Sequence, residues 1–163
     1  MFREMRRKKQ VLTTEESVSI LHNGTTGVLG LIGDDGYPYT VPINYLYLDN
    51  KIYFHCAKSG HKIDAINSSP KASFTVIGRD EVIAEEYTDY FKSVIAFGKI
   101  RVMADGDAKR KAIEAFTQKY SIEYMDEGIR TIDKHWDILC MLEFAIEHLS
   151  GKQAIELAVK SKD

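Results

Sequence analysis

Short runs of alternating apolar and polar residues fill the middle of this chain. TTGVLGLIG starts at Thr25, an Asp35-Gly36 turn signal follows, and YTVPINYLYL comes next; Asp49-Asn50 then separates it from KIYFHCA. Period-two runs bounded by such pairs predict strands joined by hairpin turns. KASFTVIG and the longer YFKSVIAFGKIRVMA share this texture, and DILCMLEFAIEHL reads as a last apolar strand. Pro38 and Pro42 cannot donate ladder hydrogen bonds, so the second strand is expected at an edge, or bulged near its start.

Helical spacing is rarer. Thr13 and Glu16 make a T-x-x-E capping box ahead of Val18, Ile20 and Leu21, with a stop at Asn23-Gly24. HKIDAINSS puts Ile63 and Ile66 on one face before Pro70. Asp107 is the expected cap of a helix over 108–120, with Ala112, Ala115 and Phe116 turned inward. Arg79 to Asp89 reads as a polar loop, SIEYMDEGIRTIDKHW as a loop with a helical turn, and the residues from Ser150 as a peripheral polar tail. About six strands in succession with one or two intercalated helices predict a mainly β (α+β) fold, an antiparallel barrel with helical covers.

Composition narrows the function classes. A length of 163 residues fits a single domain over 1–163, with a basic arm over 1–12 and a tail over 153–163. Arg3, Arg6, Arg7, Lys8 and Lys9 give that arm two readings: a solvated tail, or an arm over a partner subunit or an anion. With 22 Lys+Arg against 24 Asp+Glu, the net charge of -2 argues against a dedicated nucleic-acid binder. Cys56 and Cys140 are isolated thiols without CxxC spacing, which points to a reducing compartment. MFREMRRKKQVL lacks the apolar core of a secretory leader, and no run of about 18 apolar residues occurs, so a cytoplasmic protein without a membrane span is expected. The five histidines show no HxH or HExxH spacing, and no GxSxG elbow or P-loop is present, so no metal site, hydrolase elbow or Walker loop is expected.

The candidate chemistry lies in YFHCAKSGHKIDAI, Tyr53 to Ile66, which begins as a strand and ends as a helix. Along the strand Tyr53, His55 and Ala57 face one way and Phe54 and Cys56 the other. Cys56 beside Phe54 reads as a buried small residue. At the turn, Ser59-Gly60 gives a cap and a flexible residue, and Lys58, His61 and Lys62 surround the helix start. A helix N-terminus disfavours cations, unless an anion such as a phosphate binds there and accepts their hydrogen bonds. The competing reading is a set of long side chains reaching into water. In TVPINYLYL, Val41, Ile43 and Tyr45 share one face, and Asn44 sits among apolar neighbours on the other. A buried amide there would bond either backbone or the polar edge of a flat heterocycle. Lys92 and Ser93 begin an otherwise apolar strand.

GYPYTVPINYLYLDNKIYFHCAKSGHKIDAI, then YFKSVIAFGKIRVM, then LSGKQ, together resemble the flavin-binding split-barrel proteins. Within them, the chain is similar to the pyridoxamine-phosphate-oxidase-related group that includes 5-nitroimidazole resistance proteins. The resemblance implies a homodimer of antiparallel split β-barrels with peripheral helices, holding FMN in clefts between the subunits. By position, Val41, Pro42, Ile43 and Asn44 would line the isoalloxazine, and His55, Cys56 and Ala57 would follow the cofactor. Ser59, Gly60, His61 and Lys62 would hold the phosphate, with Ser93 near the interface.

HLSGKQAIELAVKSKD lacks the Arg- and His-containing C-terminal signature with which pyridoxamine-phosphate oxidases proper grip their substrate. The expectation is therefore an FMN-dependent oxidoreductase that passes electrons from NAD(P)H to a small organic molecule such as a nitroaromatic. His55 would be proton donor or substrate anchor, or simply a histidine satisfied by its neighbours. The alternative is a non-catalytic flavin- or haem-binding split barrel, with His22, His61, His135 or His148 as an axial ligand. Tyr87, Tyr90 and Phe91 are candidate roof residues, and Trp136 a candidate pocket wall.

Overall fold

In the computed structural model, which describes residues 2–160, the capping box forms as the pattern requires. The Thr13 side chain accepts the Glu16 N–H, the Glu16 carboxylate accepts the Thr13 N–H, and α1 runs over Thr14–Asn23. A hairpin follows, β1 (Thr26–Ile32) and β2 (Pro38–Asn44), paired from Thr26↔Asn44 to Ile32↔Pro38. The YTVPINYLYL run breaks after Asn44, so that β3 (Leu46–Leu48) is a separate strand paired with β4 (Lys51–Cys56). The break falls at Tyr45, fully buried and bonded through its hydroxyl to the Leu21 carbonyl at 2.7 Å. Burying that phenol turns the backbone out of register with β2.

Next come α2 (His61–Ser68), β5 (Lys71–Arg79), a small hairpin β6 (Val82–Ile83) and β7 (Thr88–Asp89), and β8 (Lys92–Val102). The hairpin lies in the stretch expected to be loop, held by two ladder pairs. α3 (Asp107–Ser121) begins one residue before the expected start. Gly106 is its cap and Asp107 its first residue, where the carboxylate meets the positive end of the helix dipole.

The expected loop at 121–136 is instead a turn of 3-10 helix and then α4 (Met125–His135). β9 (Cys140–Gln153) runs past the expected end of the last strand, and α5 (Ile155–Lys160) follows. Gly151, Gln153 and Ala154 are buried rather than peripheral, because Gln10 reaches Gln153 O at 3.0 Å and Val11 bridges to Lys152. The basic arm thus ends docked, and at its start Phe2 stacks on His148 with centroids 4.9 Å apart.

Among the described residues, seven strands make one antiparallel sheet in the order β2-β1-β5-β8-β9-β4-β3, curled until β2 touches β4. This is the expected α+β split barrel, with β2 at the sheet edge as its prolines require. Leu29, Phe54, Phe74, Val94, Leu142 and Phe144 fill the interior. A second cluster, including Tyr53, Met103, Ile113, Ile132 and Met141, packs the outer side of β4 and β9 against α3 and α4. Glu143 on β9 ties three strands, reaching Lys51 on β4 at 2.9 Å and Arg101 on β8 at 2.8 Å.

Candidate functional site

β4 carries the alternation that builds the site. Ile52 and Phe54 are buried in the barrel, while Tyr53 and His55 face the side covered by α3 and α4. His55, Cys56, Ala57 and Lys58 floor a cavity of about 930 Å³. Its opposite walls come from the two helices and the 3-10 turn between them, chiefly Phe116, Tyr120, Tyr124 and Ile132. The His55 ring meets Phe116 edge-on, with centroids 6.5 Å apart. Burial first, and the Lys62 ammonium second, hold the His55 imidazole below its ordinary value. His55 is therefore neutral at neutral pH, with one ring nitrogen donating and the other accepting. The Cys56 thiol is pushed up to about 12, by burial and then by the adjacent Cys140 thiol. The thiol form is therefore strongly favoured at neutral pH.

Where β4 runs out, the chain turns into α2. Gly60, at φ 116°, is the helix cap, and no side chain caps it; Ser59 does not take the role expected of it. The Gly60 carbonyl accepts the N–H groups of Ile63 at 2.8 Å and Asp64 at 3.1 Å. A Cβ built on Gly60 would meet nothing within 4 Å, so the space beside the turn is open. Of the three basic residues, His61 turns toward the β1–β2 hairpin: its ring stacks on Tyr39 at 4.0 Å and Nε2 lies 3.7 Å from an Asp34 carboxylate oxygen. One of the three basic side chains at this helix end thus has its partners within the chain. Lys62 remains close enough to bear on His55 and Cys56, and Lys58 on Asp105.

The other expected residues lie apart from the cavity floor. Val41 and Ile43 take the inward, half-buried positions of β2, with Pro42 exposed between them. Asn44 is exposed rather than buried, and its amide donates to Thr25 O at 3.0 Å and Thr26 Oγ1 at 3.1 Å. It therefore serves the fold, beside Tyr120, whose hydroxyl lies 2.7 Å from both the Thr25 and Tyr45 carbonyls. Ser93 is on the outer face of β8, opposite Ile77 and Lys152. Tyr87, Tyr90 and Phe91 do not roof the cavity: Tyr87 is 98% exposed, Tyr90 is buried against Glu86, and Phe91 carries Lys152 over its ring. Trp136 lies outside the lining as well, under the Lys109 ammonium at 4.3 Å.

Apart from Phe116 and His135, each singled out on other grounds, the cavity residues of α3, α4 and the turn between them were missed by sequence reading. Their signal is present: Phe116, Tyr120 and Tyr124 recur at i+4, as do Glu127, Thr131 and His135. The apolar stripe of α4, Met125, Ile129 and Ile132, recurs at helical spacing among charged residues as well. Among the described residues, no group of three or more His, Cys, Asp and Glu side chains is close enough to hold a metal ion.

Comparison with known proteins bears on the whole arrangement. The family model described as pyridoxamine 5'-phosphate oxidase matches residues 13–153. No curated protein matches the chain. Among solved structures, a candidate 5-nitroimidazole antibiotic resistance protein from Bacteroides thetaiotaomicron is 21% identical, with 88% of this chain and 86% of that one covered and a TM-score of 0.73. An FAD-binding protein from Mesorhizobium loti is 23% identical, with 89% and 97% covered and a TM-score of 0.62. An FAD- and haem-binding protein from Mycobacterium smegmatis is 21% identical, with 95% and 80% covered and a TM-score of 0.70. At these identities the likeness is one of fold.

Proposed function

Since the chain belongs to the pyridoxamine 5'-phosphate oxidase family, we propose that it is an FMN-dependent oxidoreductase that takes electrons from NAD(P)H and passes them to a small organic substrate such as a nitroaromatic. One observation carries this reading. A strand bearing His55 joins a roomy, aromatic-walled cavity to a helix N-terminus that no side chain caps and that Lys58 and Lys62 flank. The residues present suit a phosphorylated planar group. Backbone N–H groups at the start of α2 and the Lys62 ammonium are the donors a phosphate needs. The open space beside Gly60 admits it without a Cβ in the way.

Ser59, Gly60, His61 and Lys62 would then hold the phosphate, His61 exchanging its Asp34 contact for it. His55, Cys56 and Ala57 would follow the ring system, and Val41, Pro42, Ile43 and Asn44 would approach it from β2. Ser93 lies on the sheet face where a second subunit would dock. Bound flavin supplies the electron chemistry, and the protein supplies binding and orientation. His55, held neutral, anchors a substrate oxygen by its ring N–H and shares that proton as charge develops there. Phe116, Tyr120 and Tyr124 exclude water and favour flat, apolar substrates.

His135 favours a second reading, a non-catalytic haem-binding barrel. It lines the cavity, and its Nδ1 is 3.0 Å from the Thr131 carbonyl. A carbonyl only accepts, so Nδ1 carries the proton and the Nε2 lone pair is left for a ligand. Purification without added cofactor, followed by absorbance and mass analysis of what denaturation releases, separates the two. Released FMN with a two-banded yellow spectrum supports the oxidoreductase, and NAD(P)H consumption with a nitroaromatic then tests turnover. A Soret band supports haem. A colourless protein that also fails to take up FMN rules out the flavoprotein reading.

A further inference from the structure

Cys56 and Cys140 look unrelated along the chain, yet the sheet sets them together. Cys56 ends β4 and Cys140 begins β9, and the antiparallel register places them directly opposite one another. Directly opposed residues project from the same face, with Cα atoms about 4.5 or 5.5 Å apart. Disulfides span Cα separations of about 4.4–6.8 Å, so either arrangement falls inside the window. Both thiols are free. Their surroundings differ: Cys56 is half-buried and contributes to the cavity wall, whereas Cys140 is 2% exposed within the barrel core.

We propose that Cys56 and Cys140 are a dithiol–disulfide couple, a two-electron redox site in the polypeptide itself, with a low-molecular-weight disulfide as its oxidant. The unequal burial assigns the roles. The Cys56 thiolate, the less buried of the two, attacks one sulfur of the small disulfide; a mixed disulfide forms and one small thiolate leaves. The Cys140 thiolate then attacks the Cys56 sulfur and expels the second. Two protein thiols and one small disulfide thus become one protein disulfide and two small thiols, the two protons passing to the thiols released.

The same surroundings set the behaviour of the couple. Burial and the neighbouring thiol disfavour the Cys56 thiolate, so attack is slow near neutral pH and speeds up about tenfold per pH unit while the thiolate remains scarce. A thiol that holds its proton tightly is also a poor leaving group, so the closed disulfide resists reopening. Once formed, the bond fastens β4 to β9 one residue from His55, at the end of their ladder.

Reduced protein, freed of reductant, is incubated with oxidised glutathione at pH 7, 8 and 9, quenched with acid and analysed by intact mass and thiol alkylation. The expected wild-type result is a mass loss of about 2 Da, the two thiol hydrogens, with both alkylatable thiols disappearing together and faster at higher pH. Cys140→Ala should instead accumulate glutathione on Cys56, and Cys56→Ser should leave Cys140 unmodified in the folded state. A glutathione adduct that persists on wild-type Cys56 overturns the proposal. So does survival of both thiols under conditions where the urea-unfolded chain reacts. The readout is mass and thiol count, so it is independent of any flavin.

Discussion

His55 and Lys62 are linked electrostatically, and the link can be measured. Lys62 disfavours the imidazolium, so Lys62→Ala should raise the His55 pKa in a proton NMR titration of its ring resonances. An unchanged titration would separate the two residues. The same substitution removes a charge-assisted hydrogen bond to a phosphate, about 1.5–3 kcal/mol. FMN binding, followed by quenching of flavin fluorescence, should therefore weaken about ten- to hundredfold. His55 also leaves a mark on stability. Its folded value lies below its unfolded one of about 6.5, so the unfolded chain binds more protons as pH drops through that value. Its contribution is complete above about pH 6.5, fades toward the lower folded value, and is constant below that. Urea denaturation across this window should show that slope in the wild type, and His55→Gln should lose it.

α3 and α4 form a layer whose placement rests on a few contacts. Arg110 on α3 pairs with Asp133 on α4, and the buried Lys109 lies between Asp105 at 2.7 Å and the Trp136 ring. The helices approach closely at Gly128, where a Cβ would fall 2.6 Å from Thr117 Cγ2. Thr117 is not free to rotate, since its hydroxyl donates to the Ile113 carbonyl at 2.9 Å. Gly128→Ala gains about 1 kcal/mol of helix propensity but pushes a methyl against a fixed one. The clash should win, lowering the melting temperature, and Gly128→Ala with Thr117→Ser should recover it because serine lacks that methyl. If the double variant melts no higher than the single one, Thr117 is not the cause. Both residues line the cavity, so the single variant should also alter ligand affinity.

The outer face of the curled sheet governs the whole molecule. Val28, Ile77, Ile95 and Phe97 lie on that face across β1, β5 and β8, between 38% and 64% exposed. Thr75 joins them, paired with both Val28 and Ile95, so the patch is continuous. A contiguous apolar patch of this kind is a candidate interaction surface. In the proposed homodimer it meets a second copy and brings Ser93 to the junction. Ile95→Asp places a charge beside Thr75 at its centre and should shift the dissociation constant at least about tenfold toward monomer, read by sedimentation or light scattering. A wild type that is monomeric at all concentrations would remove the homodimer, and the between-subunit cleft with it.

Local physics was legible in the sequence. The capping box of α1, the hairpin of β1 and β2, the alternation along β4 and the basic start of α2 after Gly60 depend on neighbours within a few residues, although Ser59 does not cap that helix as expected. Patterning predicted a barrel for the same reason, since successive strands joined by turns leave few ways to bury their inner faces. The family resemblance then added the split barrel. Contacts between distant segments were not legible. α4 does carry a helical stripe, Met125, Ile129 and Ile132 among charged residues, but what that stripe packs against, α3 and the back of β9, lies far off in sequence. Asn44 appeared destined for burial, but alternation along β2 puts it on the exposed face with Thr40 and Pro42. The sequence by itself determined the strands, the turns and the basic helix start, because each is settled by short-range sterics and hydrogen bonding. Only the tertiary structure decided that a cavity roofed by α3 and α4 stands over His55, and that two separate cysteines face each other across β4 and β9, because register and layer packing are fixed by the whole sheet at once.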